Sequence, residues 1–119
     1  MSPEFMQTYA DLRALMLRAT EGADVVVGAD ETGKLELRTP TVDPKTKQPG
    51  WVGMIAAKKA YVSYHLPPLY EHPELADALS AALEKHRQGK TCFNFKRPAP
   101  ELYPELETLT RRAAATLGA

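Results

Sequence analysis

The chain has 119 residues, of which 44% are hydrophobic and 25% are charged, and its 15 basic and 15 acidic side chains give a net charge of zero. These values are ordinary for a globular protein and exclude an intrinsically disordered chain, and this length suits one domain. No apolar run is long enough to cross a bilayer, so we expect no membrane partner.

The N-terminus and the cysteine content indicate the compartment. We interpret residues 1–5 as an expression-tag remnant and residues 6–119 as a single domain, because Met6 follows in the position of a native start. The N-terminus lacks the basic segment and apolar core of a secretory signal. Cys92 is the one cysteine, so no internal disulfide can form, which fits a reducing compartment. We therefore predict a cytoplasmic protein.

The first half of the chain predicts one helix and a hairpin. An amphipathic helix begins at Thr8 and ends at Gly22. Residues 24–29 and 34–39 have strand-like patterns, and a turn at residues 30–33 joins them. Residues 40–50 contain three prolines and predict an exposed loop. The apolar stripe of the helix is Tyr9, Leu12, Leu15, Met16 and Ala19.

The second half predicts three strands and two helices. Residues 51–57 and 60–66 are strands joined at Lys58-Lys59. A helix begins at Pro73, continues to His86 and is capped by Gly89. Residues 91–96 form a fifth strand, in which Phe93 and Phe95 alternate with polar residues and should face the core. The last helix opens near Pro104, with the buried stripe Leu106, Leu109, Thr110, Ala113 and Leu117.

The order of these elements is α-β-β-β-β-α-β-α. Because most neighbouring strands are joined as hairpins, we predict an α+β fold with a mainly antiparallel five-stranded sheet and helices packed on one face.

Basic residues are concentrated in two stretches. Residues 44–70 and 85–100 contain no acidic side chain. If these stretches adjoin in space, they form a positive face that can attract an anionic partner, and the alternative is a solvated surface. A sequence pI of about 6.8 argues against an obligate nucleic-acid binder.

Six residues at or near the later strands form a candidate ligand site. Lysine pairs with phosphate or carboxylate, asparagine donates and accepts hydrogen bonds, and an aromatic ring can stack on a base. A small anionic ligand or a nucleotide suits such a face, although the solvent face of an antiparallel sheet also has polar residues. Cys92 with His65 invites a nucleophile or metal interpretation, whereas a small core residue is the alternative. The candidate ligand residues are Tyr61, Ser63, His65, Lys90, Asn94 and Lys96.

Two segments carry a family resemblance. Residues 59–70 (KAYVSYHLPPLY) and 89–96 (GKTCFNFK) resemble the bacterial domain of unknown function 1801 family, and the order of elements is similar over residues 9–117. The resemblance implies a frataxin-like or related fold and an intracellular iron chaperone. Iron requires exposed carboxylates, for which the candidates are Glu71, Glu74 and Asp77.

We therefore predict a small intracellular binding protein rather than an enzyme, with iron as the ligand that the resemblance implies. The alternative is an enzyme or adaptor module that recognises a small anionic ligand or nucleotide on the basic and aromatic sheet face. The partner is a small anionic ligand or another protein, and the sequence leaves a monomer and a homodimer equally open.

Overall fold

The computed structural model describes residues 3–42 and 44–116. This part of the chain forms an α+β fold, as predicted, around one antiparallel sheet in the order β1-β2-β3-β4-β6-β5. The sheet has six strands instead of five. The strands are β1 (Val26–Glu31), β2 (Lys34–Val42), β3 (Pro49–Ala57), β4 (Val62–His65), β5 (Arg87–Gln88) and β6 (Cys92–Phe95); the helices are α1 (Pro3–Ala19), α2 (Pro68–Glu71), a 3-10 helix (Pro73–Ala76), α3 (Ala81–Glu84) and α4 (Tyr103–Ala115).

One face of the sheet contributes most of the core. Phe93 and Phe95 on β6 are fully buried, as the alternation predicts, and Tyr64 on β4 is buried beside them. Helices α1 and α4 pack against each other and against this sheet face. The side chains that alternate with this set, including Ser63 and Asn94, are only partly buried. The opposite face is therefore the surface on which a ligand can be sought.

The first helix begins earlier than the sequence predicts. It starts at Pro3, and the side chain of Phe5 is only 8% exposed within the core. The predicted domain begins at residue 6. In the structure the ring of Phe5, which belongs to α1, is buried in the core and so adds to the apolar surface that the helix removes from water. The helix ends at Ala19, three residues before the predicted end at Gly22. Gly22 has a φ of +83° in the turn that follows, a left-handed conformation that favours glycine.

The predicted helix over residues 73–86 is wrong. In its place lie the 3-10 helix and α3, separated by a turn. The Glu105 carboxylate accepts hydrogen bonds from the Ser80 backbone N–H (2.8 Å) and hydroxyl (2.6 Å), and the Ser80 hydroxyl oxygen in turn caps the N–H of Leu83. A backbone N–H that donates to Glu105 is not donating within a helix, so the helix restarts after Ser80.

The strand boundaries also differ from the prediction in several places. Strands β2 and β3 extend into the predicted loop over residues 40–50, and residues 58–61 form a longer connection than the predicted Lys58-Lys59 turn. The short strand β5 was not predicted at all. The predicted core residue Leu117 lies outside the described residues. Among the helices of the described ranges, none is long and apolar enough to cross a membrane.

Candidate functional site

Strands β4, β5 and β6 place polar side chains opposite one another on the sheet face that α1 and α4 do not cover, here called the open face. His65 on β4 lies opposite Cys92 on β6, and Ser63 lies opposite Asn94. Gln88 on the edge strand β5 lies opposite Cys92 on the other side. Because antiparallel pairing holds facing residues close together, this part of the sheet presents polar side chains from three strands together.

A concave site, here called the basic cleft, opens at the β5–β6 end of this face. Its volume is about 340 Å³. Lys85 follows α3, and Lys96 and Arg97 follow β6, so that the ends of two elements bring three cations to one place. The residues that line the basic cleft are Tyr61, Lys85, His86, Gln88, Asn94, Lys96 and Arg97.

The cations of the basic cleft have no neutralising partner in the part of the chain that the structure describes. Among residues 3–42 and 44–116, no carboxylate lines the cleft. Lys85, Lys96 and Arg97 form no salt bridge with any residue in the described part of the chain. Unpaired cations around a concave surface raise the local concentration of anions. The electrostatics of the cleft therefore favour an anionic ligand.

The ring of His86 is held in a fixed orientation at the cleft. Its Nδ1 lies 3.0 Å from the backbone carbonyl oxygen of Asn94, so Nδ1 carries a proton and donates it. The ring also stacks on Phe95, with centroids 4.6 Å apart and planes 19° apart. Since Nδ1 is engaged, Nε2 is the ring nitrogen left to interact with a ligand.

A second concave site, here called the sheet cavity, lies on the open face next to the basic cleft. Its volume is about 260 Å³. At one end His65 Nδ1 lies 2.9 Å from Cys92 Sγ and 3.1 Å from Thr91 Oγ1. Burial lowers the pKa of His65 below its ordinary value, so the imidazole is neutral near pH 7. The residues that line the cavity are Lys34, Glu36, Met54, Ile55, Ala56, Lys58, Ser63, His65 and Cys92.

The six predicted ligand residues are divided among three places. Tyr61, Asn94 and Lys96 line the basic cleft, whereas Ser63 and His65 line the sheet cavity. Lys90 lines neither: its ammonium group lies 5.6 Å from the ring centroid of Tyr70, a cation–π contact. The structure therefore brings together three of the predicted residues in a basic site.

Sequence reasoning missed four residues of the basic cleft. Lys85, His86, Gln88 and Arg97 line it but were assigned to a helix or left unassigned. They all fall in the acid-free stretch over residues 85–100. That stretch was the signal that could have found them, because it marked a basic surface independently of secondary structure.

The three predicted iron ligands are exposed and lie on separate elements. Glu71 ends α2, Glu74 is in the 3-10 helix, and Asp77 follows it. The Glu74 carboxylate lies 3.3 Å from His72 Nδ1. Across residues 3–42 and 44–116, no three His, Cys, Asp or Glu side chains are grouped closely enough to hold a metal ion. The geometry thus adds no support to the iron expectation.

No protein-family model matches the chain, and comparisons with curated proteins and with solved structures found no match either. The resemblance to the domain of unknown function 1801 family, and the frataxin-like fold and iron chaperone that it implies, therefore remain predictions.

Proposed function

We propose that this protein binds a small anionic ligand, such as a phosphorylated metabolite or a nucleotide, in the basic cleft. The observation that carries the proposal is the set of three cations around a concave site to whose lining the described residues contribute no carboxylate. The proposal follows the second of the two functions that the sequence left open. Iron delivery has no comparable observation in its favour, and we propose binding without assigning a reaction.

The cations supply attraction, and the neutral groups supply selectivity. Arg97 offers a planar fork of donors that suits a phosphate or carboxylate, while Lys85 and Lys96 act as point charges. The amide of Asn94 can donate and accept, and the ring of Tyr61 offers an apolar surface for stacking. Together these groups suit a ligand with a charged end and a planar or hydrogen-bonding end.

The dimensions of the cleft limit the ligand to a small molecule. Ligand pockets usually have volumes of about 300–1,000 Å³, and the volume of about 340 Å³ lies at the lower end of that range. Half of a dinucleotide fits this space better than a whole one. We therefore use pyrophosphate and ADP as the probes of the site.

Isothermal titration calorimetry tests the proposal directly. The wild type should bind pyrophosphate or ADP with a Kd below about 1 mM. Lys96→Gln and Arg97→Gln should each weaken binding at least about tenfold, because each removes a charge-assisted hydrogen bond worth about 1.5–3 kcal/mol. Tyr61→Ala should weaken the binding of ADP but not of pyrophosphate if the base stacks on this ring.

Lys59→Gln is the matched control, because Lys59 is an exposed lysine that does not line the cleft. This variant should bind both probes like the wild type. Equal weakening by Lys59→Gln and Lys96→Gln would indicate a nonspecific charge effect. Failure of the wild type to bind either probe below 1 mM, or unchanged binding in Lys96→Gln and Arg97→Gln, would contradict the proposal.

A further inference from the structure

The sheet cavity brings a thiol and an imidazole into direct contact. His65 Nδ1 lies 2.9 Å from Cys92 Sγ, and both side chains are partly exposed to the cavity. A nucleophile within hydrogen-bonding reach of a base is the arrangement that activates cysteine, because the thiolate and not the thiol attacks. The pairing follows from strand register, since these two residues face each other across β4 and β6.

The imidazole is in the protonation state that a base requires. The Cys92 thiol and the Thr91 hydroxyl, 3.1 Å away, both approach the same nitrogen of His65. Both groups can donate, and a neutral imidazole with its lone pair at Nδ1 can accept from either of them. Burial lowers the pKa of His65, so the ring is neutral near pH 7, and the tautomer with its proton on Nε2 has this lone pair available.

The charges of the cavity determine which electrophile suits it. Lys34 lies 3.7 Å from Glu36, so these two opposite charges offset each other. Lys58 also lines the cavity and has no salt-bridge partner among the residues that the structure describes. One uncompensated cation that lines the same cavity as the thiol favours a small anionic reagent.

We propose that Cys92 is a site of covalent modification by a small α,β-unsaturated carboxylate, with His65 as the base and Lys58 as the group that attracts the carboxylate. The Sγ–H bond breaks as its proton passes to His65 Nδ1, and the sulfur electron pair forms a bond to the β-carbon. The π electrons move to the α-carbon, which takes the proton back from His65. The product is a thioether, and no further reactant is consumed.

An addition reaction also fits the cysteine content of the chain. Cys92 is the only cysteine, so an oxidised sulfur has no second thiol within the chain to form a disulfide. A thioether requires no such partner. The volume of the cavity, about 260 Å³, limits the reagent to a few heavy atoms beyond the reacting double bond.

Acrylate and acrylamide form a matched pair of probes, equal in shape and different in charge. Intact-mass spectrometry measures the rate of adduct formation near pH 7 for the folded chain and for the chain unfolded in urea. The folded chain should react with acrylate at least about tenfold faster than the unfolded chain, because a positioned base removes the proton. A folded chain that reacts no faster than the unfolded chain with either probe overturns the proposal.

Three variants separate the roles of the residues. His65→Asn should lose the rate advantage with both probes, with thermal unfolding as the check that it folds. Lys58→Gln should lower the rate of adduct formation with acrylate by about fivefold, as expected for one exposed charge at close range. The rate with acrylamide should not change. Lys59→Gln, next in sequence and outside the cavity, is the control. If Lys58→Gln and Lys59→Gln react with acrylate at equal rates, Lys58 does not attract the carboxylate. If His65→Asn keeps the rate of the wild type, His65 is not the base and the proposal is overturned.

Discussion

Two hydroxyl groups meet in the core where β4 packs against α4. The Tyr64 hydroxyl and Thr110 Oγ1 are within hydrogen-bonding distance, and the Thr110 hydroxyl donates to the Leu106 carbonyl oxygen at 2.8 Å. Each hydroxyl has one proton, so the Tyr64 hydroxyl is the donor in their shared bond. Burial raises the pKa of Tyr64 well above its ordinary value, which keeps that proton in place.

This order of donors predicts unequal costs for removing the two groups. Thr110→Val leaves the Tyr64 hydroxyl proton without an acceptor in the core and should lower the free energy of unfolding by about 1–3 kcal/mol. Tyr64→Phe removes the donor while Thr110 keeps its bond to Leu106, so its cost should be smaller. Urea denaturation measures both variants. A larger loss for Tyr64→Phe than for Thr110→Val would contradict the assignment.

The position of Lys90 shows why one candidate site residue could not be placed from sequence. The pattern put it at the start of a strand near Asn94 and Lys96. In the structure Gly89 turns the chain with a φ of +73°, and the Arg87 guanidinium donates to the Lys90 carbonyl oxygen at 2.8 Å. This turn directs the lysine to the ring of Tyr70. Alternation within a strand predicts a face, but it does not extend into the turn before it.

At the scale of elements, two ion pairs connect α1 to its neighbours. Arg13 on α1 contacts the Asp30 carboxylate on β1 at 2.6 Å, and Arg18 contacts the Glu107 carboxylate on α4 at 2.7 Å. Hydrogen bonding from Arg13 lowers the pKa of Asp30 below its ordinary value of 3.8. Both pairs are partly exposed, so each contributes only a little to stability.

The lowered pKa of Asp30 determines how its contribution to the stability of the folded state depends on pH. A carboxyl group whose pKa is depressed by folding stabilises the folded state above its unfolded pKa, and this stabilisation disappears as the pH falls through the folded pKa. Asp30→Asn should therefore lower the urea midpoint slightly at pH 7 and not at all well below pH 3.8. Asp77→Asn is the control, since Asp77 forms no salt bridge in the described ranges. If the urea midpoint of Asp30→Asn is still lower than that of the wild type well below pH 3.8, this account is contradicted.

The spacing of apolar residues along the sequence correctly predicted which residues of α1 and β6 are buried in the core. The stripe of α1 and the alternation around Phe93 and Phe95 correspond to residues that are buried in the structure. The prediction of a helix over residues 73–86 failed because the Glu105 carboxylate, which is distant in sequence, accepts hydrogen bonds from the backbone N–H and the hydroxyl of Ser80. Local propensity cannot register such a contact. The unpredicted strand β5 (Arg87–Gln88) lies directly after the segment that this error assigned to a helix.

At the scale of the whole molecule, the two faces of the sheet have different roles. Helices α1 and α4 cover one face, while the open face carries the basic cleft and the sheet cavity. The sequence left open whether the two stretches without acids adjoin; in the structure Tyr61 of the first stretch and Lys85, Lys96 and Arg97 of the second line one cleft, and all three cations come from the second stretch. The balance of charge in the chain therefore conceals a local excess of positive charge.

A net charge of zero predicts how salt affects binding. The molecule as a whole does not attract an anion from a distance, so the attraction must come from the cations of the cleft at short range. Raising NaCl from about 0.01 M to about 0.15 M shortens the Debye length from about 30 Å to about 8 Å. Calorimetry should show that the Kd of the wild type for pyrophosphate rises over this interval, because Lys85, Lys96 and Arg97 are exposed to the added ions.

The same cations should account for most of that salt dependence. In a variant that combines Lys85→Gln, Lys96→Gln and Arg97→Gln, the remaining affinity for pyrophosphate should change little with salt. Lys58→Gln, which alters only the sheet cavity, should keep the full dependence. If the triple variant retains the salt dependence of the wild type, pyrophosphate binds elsewhere, since ions can screen only charges that contribute to binding.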